Sequence, residues 1–364
     1  MRGSPYEIGL KHGKEARRKI ERNLEVYFRR FKNETELSRE EALGRASKYL
    51  DVIQKQSPAY ARAMGGVAEG SGRELLEIAA LNVRYELMYS QFSKIGLQPV
   101  PRTYGCTAFA VLPERTKNGH LLMGENWDWI PEVEGLFLKI RPQVGPDVAC
   151  FTEAGVVGGK IGLNSEGLGL LINGLVSDRD DWSRLQKPFH VRCWEVLQSR
   201  TLKEAAGIIG DGQRSCSANF VLGHQKQPGE GKVLDIESAP DATCQLGPDR
   251  GAIGHANHFS DPGRVGVKQI LDEEITSTLH RYSRIQQLLD EKVRKSGKCS
   301  IPTAQAMLRD HDGKPESVCR HPNTGFPKDE RYKTVVSVVM DLYSRKIWAT
   351  MGPPCSNEYQ SLQL

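Results

Sequence analysis

A cysteine preceded by glycine, Gly105-Cys106, heads the apolar run Thr107-Ala-Phe-Ala-Val-Leu112, and Gly124-Glu-Asn-Trp-Asp128 follows it. If the Gly105–Cys106 bond were cut, Cys106 would own both a thiol and a free α-amine, and the amine could act as base for its own side chain. A thiol of pKa ~8.5 beside an α-amine of pKa ~8 exchanges a proton near neutrality at little cost. Before any cut, the same thiol can attack the Gly105 carbonyl, shift the acyl group from nitrogen to sulfur and let water release the new terminus. Glycine suits that step because it tolerates a strained backbone and brings no side chain. The competing reading is a buried thiol that acts only as a small hydrophobe in an uncut, non-catalytic binding protein.

Other residues have the right chemistry to serve such a thiol. Asp128, about one strand-length beyond Cys106, could hold and charge-stabilise an α-ammonium group; a surface or turn aspartate is the alternative. Asn257, inside His255-Ala-Asn-His258, is a candidate oxyanion donor, a role that can be worth ~3 kcal/mol in the transition state. His255 and His258 could instead ligate a metal, but no third ligand stands at a recognisable spacing, and residues three apart on a strand face opposite sides. No metal is therefore expected. Ser217 and Asn219 open an apolar strand, where they could donate to substrate or serve only as turn and edge residues. Arg84 and Glu86, two apart, do not share a helical face and are expected to lock helices onto sheets.

These groups need a frame. Ala16, Ile20, Leu24, Tyr27, Phe28 and Phe31 draw one helical stripe. Ser38 with Glu41 and Ser71 with Glu74 read as capping boxes opening two more helices. Another helix, 59–68, lies between them, giving four helices before a proline-rich connection at 96–101. From Cys106 onward, strands are expected at 107–112, 121–128, 136–140, 149–152, 158–163 and 168–173, the last two joined by a turn at 164–167. Helices are expected at 190–198 and 202–209, then strands at 218–223, 232–236 and 252–256. Helices at 279–293 and 303–309 precede a closing hairpin, 335–340 with 346–351. Strands and helices in blocks argue for an α+β fold with sheets covered by helices.

Bulk properties exclude several functions. With 38% hydrophobic and 26% charged residues, the 364-residue chain has the composition of a soluble globular protein. Residues 1–105 hold 19 Lys/Arg against 13 Asp/Glu, whereas the remainder is nearly balanced at 31 against 32. The basic part reads as solvated helix faces or as an attractor for an anionic substrate. Basic and aromatic residues do not interleave, so nucleic acid is not an expected partner. No apolar run reaches the ~18 residues of a membrane span, and lysines and arginines interrupt any leader-like segment within the first twenty residues. Eight irregularly spaced cysteines without a C-x-x-C pair suggest reduced thiols and a cytoplasmic protein.

In ordered pieces along nearly the whole chain, the sequence resembles the acyl-coenzyme A:isopenicillin N acyltransferase family, a branch of the N-terminal nucleophile hydrolases. The pieces are Ser4-Pro-Tyr-Glu-Ile-Gly9, Leu81-Asn-Val-Arg84-Tyr-Glu86, Gly105-Cys106-Thr107, Gly124-Glu-Asn-Trp-Asp128, Thr152-Glu-Ala-Gly155, Gly162-Leu-Asn-Ser-Glu-Gly167, His255-Ala-Asn257-His258 and Ser317-Val-Cys-Arg320. The resemblance implies a four-layer αββα sandwich behind a mostly helical amino-terminal segment. It also implies self-cleavage between Gly105 and Cys106 into a small subunit, 1–105, and a catalytic core, 106–364, which stay associated. Cys106, Asp128, Asn257 and Arg320 would be the catalytic residues, with Arg320 a permanent cation that lowers the thiol and amine pKa values; a structural salt bridge is the alternative for Arg320. Tyr104 and Thr107 flank the Gly105–Cys106 pair and, with Ser217 and Asn219 at the opening of their strand, are the candidate substrate-site residues. The implied reaction forms an acyl-Cys106 thioester and passes the acyl group to a small amine, or to water in a hydrolase of β-alanyl-type or other small amides. No bound cofactor is implied, and acyl-coenzyme A is a candidate co-substrate. Penicillin-forming members carry aspartate where this chain has Tyr104, and a peroxisomal address where it ends Ser361-Leu-Gln-Leu364. A different acceptor is therefore expected.

Overall fold

The first helix is set by a reciprocal cap: the Ser4 hydroxyl accepts from the Glu7 amide while the Glu7 carboxylate accepts from the Ser4 amide at 2.7 Å. The computed structural model describes residues 1–95, 105–270, 277–295, 297–328 and 331–364. Six helices precede Gly105 among the described residues: α1 (Pro5–Glu15), α2 (Arg17–Thr35), α3 (Arg39–Gln56), α4 (Pro58–Ser71), α5 (Leu75–Asn82) and α6 (Arg84–Ile95). The expected stripe on α2 is buried, and Ser38 with Glu41 caps α3 reciprocally. The second expected capping box is not formed. Ser71 ends α4, its hydroxyl donating to the Val67 carbonyl at 2.7 Å, and Glu74 with Glu77 caps α5 instead. Helix α1 had no apolar stripe to reveal it. It crosses α4 through Gly9 and Gly13 against Gly66 and Gly70, where any added Cβ would run into the partner's backbone.

After the two-residue β1 (Arg2–Gly3), strands resume at the expected switch. Strands β2 (Gly105–Val111), β3 (Leu122–Trp129), β11 (Ala252–His255), β12 (Lys333–Asp341), β13 (Lys346–Met351) and β14 (Gln360–Gln363) form a six-stranded sheet in the order β11-β2-β3-β12-β13-β14. The second sheet has eight strands in the order β1-β4-β5-β6-β7-β8-β9-β10. These are β1 (Arg2–Gly3), β4 (Gly135–Pro142), β5 (Val148–Glu153), β6 (Ile161–Asn164), β7 (Leu168–Gly174), β8 (Ala218–His224), β9 (Lys232–Ala239) and β10 (Ala242–Leu246). Neighbouring strands run antiparallel except β1 with β4. The short strands β1, β10 and β14 lie outside the expected set.

Both sheets are covered on both faces, so β2, β3 and β7 are buried at every position. Inner faces meet where Met123 of β3 packs onto Gly169 and Gly223, which leave room for it by having no Cβ. Outside the six-stranded sheet, Phe109, Val111 and Leu122 pack on α9 (Ser277–Leu289) and α10 (Ile301–Leu308). Helices α7 (Phe189–Leu197) and α8 (Leu202–Gly210) cover the eight-stranded sheet. The result is a four-layer αββα sandwich with α1–α6 packed beside it. No helix among the described residues is long and apolar enough to cross a membrane.

Candidate active site

The β2–β3 hairpin fixes the site by register, pairing Gly105 with Asp128 and Cys106 with Trp127. Strand alternation then sends Cys106, Ala108 and Ala110 between the sheets and Phe109 and Val111 toward α9 and α10. Cys106 is 5% exposed in this uncut chain, and burial, followed by the charges of Glu125 and Asp128, pushes its thiol up. Its amide nitrogen donates to Asn257 Oδ1 at 2.6 Å. Asn257 is fixed in turn, donating through Nδ2 to the Gly174 carbonyl at 3.1 Å and through its amide to Thr278 Oγ1 at 2.8 Å. It therefore meets the Cys106 backbone amide as an acceptor.

A second cation fastens this arrangement. Arg281 of α9 donates through Nη1 to the Cys106 carbonyl at 2.6 Å and to Thr107 Oγ1 at 3.0 Å. Its Nη2 donates to Asn257 Oδ1 at 3.0 Å, and the side chain is fully buried. Sequence reading missed it. The available signal was an arginine at the head of the buried series Arg281, Ile285, Leu288 on an amphipathic helix.

Gly105 lies between the two charged candidates. A Cβ at this position would fall 2.6 Å from Arg320 Nη1 and 2.7 Å from Asp128 Oδ2, so no larger residue fits without displacing them. Asp128 Oδ1 accepts from Thr334 Oγ1 at 2.7 Å, and Thr334 Oγ1 in turn accepts from the Arg320 amide at 3.0 Å. Arg320 also pairs with Glu316. Asp128 Oδ2 and Arg320 Nη1 have no hydrogen-bond partner among the described residues. Burial pushes the Asp128 carboxyl up to about 7 against the opposing charges of Arg281 and Arg320. The enclosed geometry can therefore take up one further polar group at Gly105.

The remaining expected residues divide. Thr107 joins the site through Arg281. Ser217 does not present its hydroxyl freely; it donates to Asp180 at 2.6 Å and to Ser177 at 3.0 Å. Asn219 faces Asn173 across β7 and β8, Nδ2 to Oδ1 at 3.3 Å. Tyr104 and the connection 96–101 lie outside the described residues. His255 bonds Glu237 at 3.0 Å and His258 bonds Thr278 at 2.9 Å, so the two rings point to different partners. Arg84 reaches Glu153 on β5 through Nε at 3.0 and 3.1 Å, and Lys160 pairs with the same carboxylate. Glu86 accepts from the Phe189 amide at the start of α7 at 2.6 Å. Both residues thus join helices to the sandwich, as expected.

The family model described as acyl-coenzyme A:6-aminopenicillanic acid acyl-transferase matches residues 114–355, a span holding Asp128, Asn257, Arg281 and Arg320. A protein of Emericella nidulans described as acyl-coenzyme A:6-aminopenicillanic-acid-acyltransferase 40 kDa form is 29% identical over 358 residues, covering 97% of this chain and 91% of that protein. Among solved structures, a Caenorhabditis elegans N-acylethanolamine-hydrolyzing acid amidase ortholog matches with a TM-score of 0.48 and 14% identity, over 65% of this chain and 93% of that one. Penicillin V acylase from Agrobacterium tumefaciens matches at 0.44 and 12%, over 71% and 86%.

Proposed function

We propose, from the premise that this chain belongs to the acyl-coenzyme A:6-aminopenicillanic acid acyl-transferase family, that it cuts itself at Gly105–Cys106 and then works through the exposed cysteine. Membership makes it an enzyme of the acyltransferase and amidohydrolase class. The observation that carries the self-cleavage is the seat of Gly105, with Asp128 and Arg320 too close to admit a Cβ and the Cys106 amide on Asn257.

In the cut, Cys106 Sγ attacks the Gly105 carbonyl carbon. The tetrahedral intermediate collapses by breaking the C–N bond, and the thiol proton ends on the departing nitrogen. Water then hydrolyses the Gly105 thioester, leaving a carboxylate, a thiol and an α-amine. That amine stays on Asn257, with Asp128 beside it to balance its charge when protonated. In turnover the amine takes the thiol proton, the thiolate attacks the acyl donor, and the proton passes to the leaving group. The acyl-Cys106 thioester is resolved by a small amine or by water. Cys106 chemistry needs no resident cofactor, and acyl-coenzyme A is the proposed donor.

Intact mass is the direct test. Purified protein should separate under denaturing conditions into pieces of 105 and 259 residues. Cys106→Ala should remain whole. A single uncut mass for the active wild type would overturn the proposal, as would a Cys106→Ala chain cut at the same bond. Cys106→Ser should cut slowly or not at all, because an alcohol is a poorer nucleophile than a thiol near neutrality. For the acceptor, Tyr104 in place of an acidic residue supports a small amine other than 6-aminopenicillanic acid. Offered with phenylacetyl-coenzyme A beside a panel of amines and amides, 6-aminopenicillanic acid should be the slower substrate. Penicillin formation at the best panel rate would refute that choice.

A further inference from the structure

Away from Cys106, three separate stretches of chain bring four metal-ligating side chains to one point. His311 lies in the connection after α10, Cys319 and His321 precede β12, and Cys355 sits in the turn after β13. One ligand atom from each lies within 4.8 Å of the other three. His321 Nε2 is 3.2 Å from His311 Nε2, 3.7 Å from Cys319 Sγ and 3.3 Å from Cys355 Sγ.

These three distances fit edges of a tetrahedron around a metal. Bond lengths of ~2.0–2.1 Å to nitrogen and ~2.3 Å to sulfur at tetrahedral angles give ~3.4 Å between two nitrogens and ~3.6 Å between nitrogen and sulfur. Hydrogen bonding does not account for the convergence. A ring nitrogen carries one proton or one lone pair, so His321 Nε2 can satisfy one of its three polar neighbours, whereas an ion between them satisfies all four ligands. The surrounding backbone holds the cluster in place. The Cys319 amide donates to Asp310 O at 2.9 Å, the His321 amide to Pro315 O at 3.0 Å, and Arg309 Nε to Pro354 O at 2.9 Å.

We propose that His311, Cys319, His321 and Cys355 bind one zinc ion. Two thiolates with two imidazoles in a tetrahedron is the donor set that selects zinc. Binding displaces the two thiol protons to solvent, leaving a neutral site. Four protein ligands leave no position open for substrate, so the ion is structural. Its placement has a consequence for the active site. Cys319 and His321 flank Arg320, whose guanidinium reaches Gly105 beside Asp128. The ion therefore ties the segment bearing Arg320 to the turn holding Cys355, and Arg320 becomes a residue positioned by zinc.

The test uses full-length protein, lysed in the presence of a thiol-alkylating agent for one aliquot and kept reduced for the rest. Metal analysis of the reduced protein should give about one zinc per chain. Replacing zinc by cobalt(II) should produce thiolate charge-transfer absorption and the strong visible bands of tetrahedral cobalt. His311→Ala and Cys355→Ser change exposed side chains, and each should weaken metal affinity by more than about 100-fold, beyond the cost of losing an outer-shell partner. Three results would overturn the site. They are reduced wild type that binds neither zinc nor cobalt, variants that both bind as wild type does, and Cys319 and Cys355 recovered as a disulfide from the alkylated aliquot. These readouts do not depend on whether the chain cuts itself.

Discussion

Asn257 has two faces, and they make separable claims. Its oxygen accepts from Cys106 and Arg281, while its nitrogen is held by Gly174. Asn257→Ala removes both and should lower turnover by ~10²–10³ with the fold intact, the scale of losing one preorganised polar partner. Asn257→Asp keeps an acceptor and loses the donor, so it should retain more activity than alanine if holding the amine is the main role. The two kcat values decide between the roles. Asp128 sets a pH limb. Its carboxyl sits at about 7 through burial in the uncut chain, and a freed ammonium group beside it would lower that value. Holding the ammonium needs the ionised form, so turnover should fall as pH drops through a midpoint below ~7, and Asp128→Asn should lack this limb. Cys106, Asp128, Asn257 and Arg320 were legible because each is a polar residue at the end of an apolar run or in a quoted motif. Arg281 was not, because one arginine on a helix looks like any other until the helix is docked. The zinc ligands were hidden by spacing: His311, Cys319, His321 and Cys355 match no short metal motif and meet only in three dimensions.

The joint between helices and sandwich rests on a buried charge cluster. Arg84, Glu153 and Lys160 are at most 3% exposed, and Tyr27 adds a hydrogen bond to the same carboxylate. Glu153 is held below the usual carboxylate range by Arg84 and then Lys160, against burial. Because its folded pKa is depressed, its stabilisation is full above its unfolded value near 4.5 and fades as pH falls below that. Arg84→Ala leaves Glu153 with Lys160 as its remaining cation beside the Tyr27 hydroxyl, and should destabilise the protein by about 3 kcal/mol, the low end for breaking a buried ion pair. Urea titration at pH 7 measures it, and an unchanged midpoint would refute the joint. Element boundaries were legible where caps are unambiguous. Ser71-x-x-Glu74 has the form of a start signal, yet Gly72, in the left-handed region at φ 67, ends α4 there. Which side of a serine the helix lies on is decided by that glycine, and the sequence pattern was read the wrong way round. Strand β1 escaped notice because two residues carry no periodicity.

At the scale of the molecule, the alternation of blocks revealed an α+β chain, but strand order left no local trace: β11 joins β2 across some 140 residues, a pairing no window of sequence contains. Residues 1–19 are tied to the eight-stranded sheet, most of which residues 135–246 build. The Arg141 amide donates to Met1 O at 2.8 Å, the Gln143 amide to Gly3 O at 3.1 Å, and Lys19 Nζ to Gly135 O at 3.1 Å. After the cut, both pieces should elute together from a sizing column and part only in denaturant. Partition of the pieces in native buffer would contradict the packing seen for α2 and β5. The same contacts have a colloidal meaning. Residues 1–3 and the Lys19 side chain take up amides and carbonyls on the outer flank of β4, which would otherwise be open to any passing strand. Once the peptide bond is gone, the small piece is a removable guard on that flank. The 106–364 piece made alone should scatter light and precipitate, and co-expression with 1–105 should keep it in solution.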